Sequence, residues 1–128
     1  MESYKIFVTG ATGFIGSNLV RILLKNGHEV YVLLRKDSKH WRINDIISEL
    51  NIYYSDITEY FKLKSMILGI RPSIVYHLAS HGTYPHQINQ TEIIKTNLMG
   101  TMNLVKACTK TNILCFVNVG SSSEYGPK

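Results

Sequence analysis

Thr9-Gly10-Ala11-Thr12-Gly13-Phe14-Ile15-Gly16 is the stretch on which the fold turns. Its glycines follow an apolar run, Tyr4–Thr9, which reads as a buried strand. They precede Phe14–Asn26, where apolar residues at 15, 19, 22 and 23 give one helical face that stops at Gly27. A turn needs only one glycine. Three at this spacing, between a strand and a helix, serve three ends: Gly10 permits the tight turn, Gly13 lets a pyrophosphate approach the main chain, and Gly16 lets the helix pack close to the sheet. Free N–H groups and the positive end of the helix dipole favour phosphate there.

Outward from this loop the alternation repeats. Glu29–Leu34 reads as a second buried strand, Ile43–Leu50 as a short helical segment and Ile52–Tyr54 as a brief third strand. Thr58–Ile70 is a helix bounded by Arg71-Pro72, since proline is not tolerated in a helix interior. Ser73–Ala79 is a fourth strand. Ile94, Leu98, Met102, Val105 and Cys108 mark one face of a long helix over about 90–110, and Ile113–Val119 is a fifth strand before a Gly-Ser loop. Near-continuous apolar strands alternating with helices imply an α/β class: a Rossmann-type, doubly wound parallel sheet of about five strands in one domain, 1–128. Right-handed crossovers then give the order 3-2-1-4-5, with ligands at the switch point between strands one and four.

Composition narrows the function classes. Of 128 residues, 45% are hydrophobic and 18% charged, an ordinary globular balance. The net charge of +5 comes from scattered lysines and arginines, which argues against a nucleic-acid partner; the densest cluster, Arg35 to Arg42, falls where a cofactor's ribose end would lie. No apolar run is long enough to span a membrane and no signal-peptide core opens the chain, so a cytoplasmic protein without a membrane partner is expected. Cys108 and Cys115 sit in no paired motif and read as buried free thiols. His77, His81 and His86 fit no zinc spacing, and no metal site is expected.

The spacing Gly-x-x-Gly-x-x-Gly of Gly10, Gly13 and Gly16 resembles that of the extended short-chain dehydrogenase/reductases, above all the NAD-dependent nucleotide-sugar epimerases and dehydratases. Further matches follow in order along the whole chain. Ser55-Asp56-Ile57 looks like the family's acidic turn after strand three. Arg71-Pro72-Ser73-Ile74-Val75-Tyr76-His77-Leu78-Ala79-Ser80 resembles the strand that runs beneath the cofactor. Asn97-Leu98-Met99-Gly100-Thr101-Met102-Asn103-Leu104 is similar to the family's "N-x-x-G-T-x-N-L" helix, and Gly120-Ser121-Ser122-Ser123-Glu124-Tyr125-Gly126 to its active-site Ser/Thr loop.

The resemblance implies an NAD or NADP site formed by Gly10, Thr12, Gly13, Phe14, Ile15, Gly16, Arg35, Asp56, Ile57, Leu78, Ala79, Ser80 and Asn97, with the Asp56 carboxylate on the adenine amino group. It implies that Ser121, or Ser122 if the loop is one residue shorter, carries the catalytic hydroxyl that orients the sugar's reacting oxygen. Two departures matter. NAD-preferring members end strand two with an acidic residue; here Leu34 is followed by Arg35-Lys36, which removes repulsion against a 2′-phosphate and favours NADP over NAD. The family's Tyr-x-x-x-Lys pair lies beyond the Ser loop and is absent there, and Tyr125-Gly126-Pro127-Lys128 has the wrong spacing to replace it. The chain therefore reads as truncated before the catalytic helix and substrate domain, inactive alone, and self-associating as a homo-oligomer. The expected function is the NAD(P)-binding portion of a nucleotide-diphosphate-sugar epimerase/dehydratase. A non-catalytic dinucleotide-binding module and an NADP-dependent carbonyl reductase are the alternatives.

Overall fold

A computed structural model describes residues 2–82 and 84–126, with backbone only for Ser122 and Ser123. Five strands form one parallel sheet: β1 (Lys5–Thr9), β2 (Glu29–Leu34), β3 (Asn51–Tyr54), β4 (Ile74–His77) and β5 (Cys115–Asn118). Their order is β3-β2-β1-β4-β5, as the alternation predicts. Thr9 pairs with Leu33 on one side and His77 on the other, so β1 ends at the same level as both neighbours.

Alternation along the central strands feeds two cores. Ile6, Val8, Val30, Val32 and Leu34 point to one face, where Val20 and Leu23 of α1 (Phe14–Lys25) and Ile43 cover them. Phe7, Tyr31, Leu33 and Val75 point to the other, under Leu63, Ile67 and Ile70 of α2 (Tyr60–Ile70) and Leu104, Ala107 and Cys108. Both faces of the central strands are thus buried, which is why they read as unbroken apolar runs. Arg71 ends α2 in a left-handed conformation (φ 53°), donating its N–H to the Ile67 carbonyl, and Pro72 follows.

Three expectations fail for identifiable reasons. The buried face of α1 is Gly16, Ser17, Val20 and Leu23, while Ile15 and Ile22 are exposed. Of the expected face Leu23 is buried and Leu19 half-buried, while Gly16 and Ser17, which a hydrophobic count passes over, share the contact stripe with Val20. The long helix is interrupted: α3 (Gln90–Ile93) runs into a π-helical segment, Ile94–Gly100, before α4 (Thr101–Cys108). Wider i→i+5 bonding shifts the helical register. Of the expected face only Cys108 is buried; Ile94, Leu98, Met102 and Val105 are exposed, and Leu104 and Ala107 are buried in their place. Cys108 is buried, which pushes its thiol up to about 11, but Cys115 is exposed on β5. Beyond β5 no further strand pairs among the described residues, so the strand does not enclose Cys115 as an interior strand would.

Gly10 and Gly16 lock α1 to the sheet. Gly10 has φ +75°, and a Cβ there would lie 2.7 Å from the Ala79 nitrogen and the Leu78 carbonyl carbon. A Cβ on Gly16 would lie 2.1 Å from the Gly10 oxygen, main chain against main chain. Gly16→Ala is accordingly expected to destabilise the fold by about 1–3 kcal/mol, the usual scale of overpacking. Gly69 in α2, whose Cβ would meet nothing within 4 Å, is the control; Gly69→Ala should be neutral or stabilise by up to about 1 kcal/mol. Denaturant titration of the two variants checks this, and equal effects would contradict the interlock.

Candidate functional site

The loops that follow all five strands open at one edge of the sheet, because the strands are parallel. At its centre, between β1 and β4, lies the glycine loop. Gly13 caps α1 in an ordinary extended conformation (φ −72°, ψ 172°), and its amide donates to the Gly10 carbonyl at 3.1 Å. A Cβ on Gly13 would meet only the Gly10 oxygen, at 3.3 Å. The chain's own packing therefore demands Gly10 and Gly16 far more than Gly13. What remains for Gly13 is approach from outside. The amides of Phe14 and Ile15 meet no side-chain cap or backbone acceptor among the described residues, and the first turn of α1 holds no acid. Orphan donors and the helix dipole at such a terminus suit an anion. A dinucleotide's pyrophosphate fits this cradle. Phe14 and Ile15 themselves are exposed beside it, and Thr12 is half-buried.

Across the switch point, the end of β4 is held by a buried imidazole. His77 Nδ1 lies 2.6 Å from Thr9 Oγ1, and Nε2 lies 2.8 Å from Thr101 Oγ1. The Ala79 amide donates to Thr9 Oγ1 at 3.2 Å. Burial lowers the pKa of His77 from its ordinary value, so the ring is neutral near pH 7. Leu78 packs against the α1-side core, while Ser80 is exposed at the rim. Asn97, in the π-helical segment, clamps the next residue of that loop: its Oδ1 accepts from the His81 amide and its Nδ2 donates to the His81 carbonyl, both at 2.8 Å. It is a polar brace for the rim.

On the β2–β3 side, Asp56 Oδ1 accepts from the Thr58 amide at 2.8 Å and the Thr58 hydroxyl at 2.7 Å. Oδ2 has no hydrogen-bond partner among the described residues. Glu59 braces this turn, accepting from Ser55 Oγ and the Asp56 amide; Lys62, Ser55 and that amide together hold its carboxyl down to about 2. Ile57 is buried in the core with its carbonyl bonded to Asn103 Nδ2, so its side chain supports the loop from below. Arg35 is exposed, 3.7 Å from Asp37.

Arg42 is the residue that sequence reasoning passed over singly. Its Nη1 reaches the Thr12 carbonyl at 3.4 Å, its guanidinium stacks 4.1 Å from the Trp41 ring centroid, and Arg21 of α1 holds its carbonyl at 2.7 Å. The cation is thus fixed over the glycine loop. Its place in the Arg35–Arg42 cluster was the available signal.

At the β5 end, Ser121 is exposed, its amide donating to Glu124 Oε1 at 2.9 Å. The Ser122 side chain, and Pro127 and Lys128, lie outside the described residues. No group of three or more His, Cys, Asp or Glu could hold a metal among the described residues, and no described helix is long and apolar enough to cross a membrane.

Comparison with known proteins agrees with this arrangement. The chain is 33% identical over 126 residues to tetraketide alpha-pyrone reductase 1 of Arabidopsis thaliana, covering 94% of this chain and 38% of that protein. It is 28% identical over 123 residues to UDP-glucose 4-epimerase of Lactobacillus helveticus, covering 95% of this chain and 37% of that one. The crystal structure of the Bordetella bronchiseptica enzyme WbmH in complex with NAD+ superposes with a TM-score of 0.87 at 26% identity, over 99% of this chain and 42% of that one. The chain spans about two-fifths of the length of these relatives. A family model matches residues 6–128, and with the glycine cradle at the switch point of a β3-β2-β1-β4-β5 sheet it shows that the chain belongs to the NAD dependent epimerase/dehydratase family.

Proposed function

We propose that this chain is the NAD(P)-binding portion of a nucleotide-diphosphate-sugar epimerase/dehydratase. The observation that carries this reading is Gly13, where a Cβ would press on its own chain only at the Gly10 oxygen, 3.3 Å away and far less than at Gly10 or Gly16, beside uncapped helix amides. Gly10, Thr12, Gly13, Phe14, Ile15 and Gly16 would hold the pyrophosphate. Asp56 Oδ2 would take the adenine amino group, with Ile57 beneath it, and Leu78, Ala79 and Ser80 would line the path toward the nicotinamide, braced by Asn97. When bound, the nicotinamide supplies a hydride acceptor and donor for a carbon of the substrate. Ser121 or Ser122 would offer a hydroxyl to the substrate oxygen. No Tyr-x-x-x-Lys pair follows the Ser loop in these 128 residues, the one such spacing, Tyr60 to Lys64, lying on α2 ahead of it, so the isolated chain should not turn over substrate.

Arg35 and Arg42 support NADP over NAD. Leu34 ends β2 where an acid would repel a 2′-phosphate, and two guanidiniums stand on the loop that follows. The same feature, with the similarity to the Arabidopsis reductase, supports a second reading: the whole protein is an NADP-dependent carbonyl reductase. A second copy of this chain is the proposed protein partner. Among the described residues β5 is an outer strand of the sheet, Leu98, Met99, Met102 and Val105 are exposed, and Val105, Cys108, Ile113 and Phe116 line a groove. Apolar edges of this kind recruit strands.

Calorimetric titration tests the cofactor reading. The unmodified chain should bind NADP about tenfold or more tightly than NAD, the scale of one charge-assisted pair. Gly13→Val should abolish binding of both by filling the pyrophosphate position. Arg35→Ala should weaken NADP and spare NAD. Undiminished binding by Gly13→Val would refute the glycine-loop site, and equal affinity for the two cofactors would refute the 2′-phosphate assignment. For the partner, light scattering should show dimers or larger species that Met102→Glu disperses; a monomer at high concentration would contradict it.

A further inference from the structure

The hydrogen bonds around His77 have only one consistent direction. Thr101 Oγ1 lies 2.7 Å from the Asn97 carbonyl, which can only accept, so the hydroxyl's single proton goes there. Thr101 Oγ1 must therefore accept from His77, and Nε2 carries the ring proton. A neutral ring then leaves Nδ1 bare, so the Thr9 hydroxyl donates to it at 2.6 Å, and Thr9 Oγ1 receives the Ala79 amide. The chain of bonds runs from the Ala79 N–H through Thr9 to His77, and from His77 through Thr101 to the Asn97 carbonyl. Each donor and acceptor in it is used once.

What the chain joins gives it a consequence. Thr9 is the last residue of β1, immediately before Gly10, and Ala79 is one of the two residues against which Gly10 packs. Asn97, at the far end, clamps His81 and so fixes the loop after β4. One imidazole thus links the anchor of the glycine loop to the brace on the opposite rim. The other groups facing it, Phe116 beside the ring and Asn118 in register on β5, are uncharged.

We propose that His77, fixed in the Nε2–H tautomer, is a positioning residue that couples the glycine loop to the Asn97-braced rim and so sets the geometry of the crevice for the dinucleotide. This rests on the dinucleotide-binding reading, but the bond direction and the coupling do not require any ligand.

Nitrogen-15 NMR of the unmodified chain tests the tautomer directly: a protonated Nε2 and a bare Nδ1 are expected, and a protonated Nδ1 near neutral pH would overturn the proposal. Thr101→Val removes the acceptor for Nε2–H without touching the glycine loop. It should shift the Ala79 and Gly10 amide resonances and weaken NADP binding about five- to tenfold, the scale of one net hydrogen bond. Thr101→Ser should restore both. Unchanged Ala79 and Gly10 amides in Thr101→Val would overturn the coupling. If the unmodified chain binds neither NAD nor NADP, the cofactor reading falls, while tautomer and amide coupling still decide whether His77 links the two rims.

Discussion

Main chain touching main chain at Gly10 and Gly16 is the constraint on which the rest depends. With a Cβ excluded at 2.1 Å and 2.7 Å, α1 starts directly over the end of β1, and β1 sits tight against the residues after β4. No side chain intrudes between helix terminus and sheet edge. The uncapped amides of Phe14 and Ile15 therefore face the gap between β1 and β4, where the chain's connections diverge to opposite faces of the sheet. The proposed anion site would result from the packing and need no dedicated side chain.

Around this centre the rims are held by polar bonds. Asn97 braces one loop through both its amide atoms, Glu59 braces another, and Arg21 pins the segment that carries Arg42. These contacts surround loops whose main chain would otherwise be free at the sheet edge. Positive charge lies on the β2 side, at Arg35 and Arg42, and the partly unused carboxylate of Asp56 lies beyond β3. Such a distribution suits a ligand with phosphate at its middle and an amino-bearing base at one end.

Much of this was legible in the sequence because the signals are backbone signals. Glycine spacing, apolar runs and the Arg71-Pro72 stop specify strands, helices and order, and the observed strand order matches. The failures involve side-chain direction. Ile15 and Ile22 look like core residues but face out, because Gly16 and Ser17 make the contact. Leu98, Met102 and Val105 are exposed in and beyond a π-helical segment that no hydrophobic period announces. His77 falls in the fourth strand of the sequence reading, but its partners Thr9 and Thr101 are 68 and 24 residues away in sequence, and only folding brings them together. Arg42 likewise acquires its place from Trp41, Arg21 and Thr12.

Amide chemical-shift mapping of the isotopically labelled chain during titration with NADP tests the central claim most directly. The account predicts that the largest changes fall on Thr12 to Gly16, on Ala79 and Ser80, and on the segment from Arg35 to Arg42, all at one edge of the sheet. Changes confined to α4 and β5, or none at saturating concentration, would contradict it.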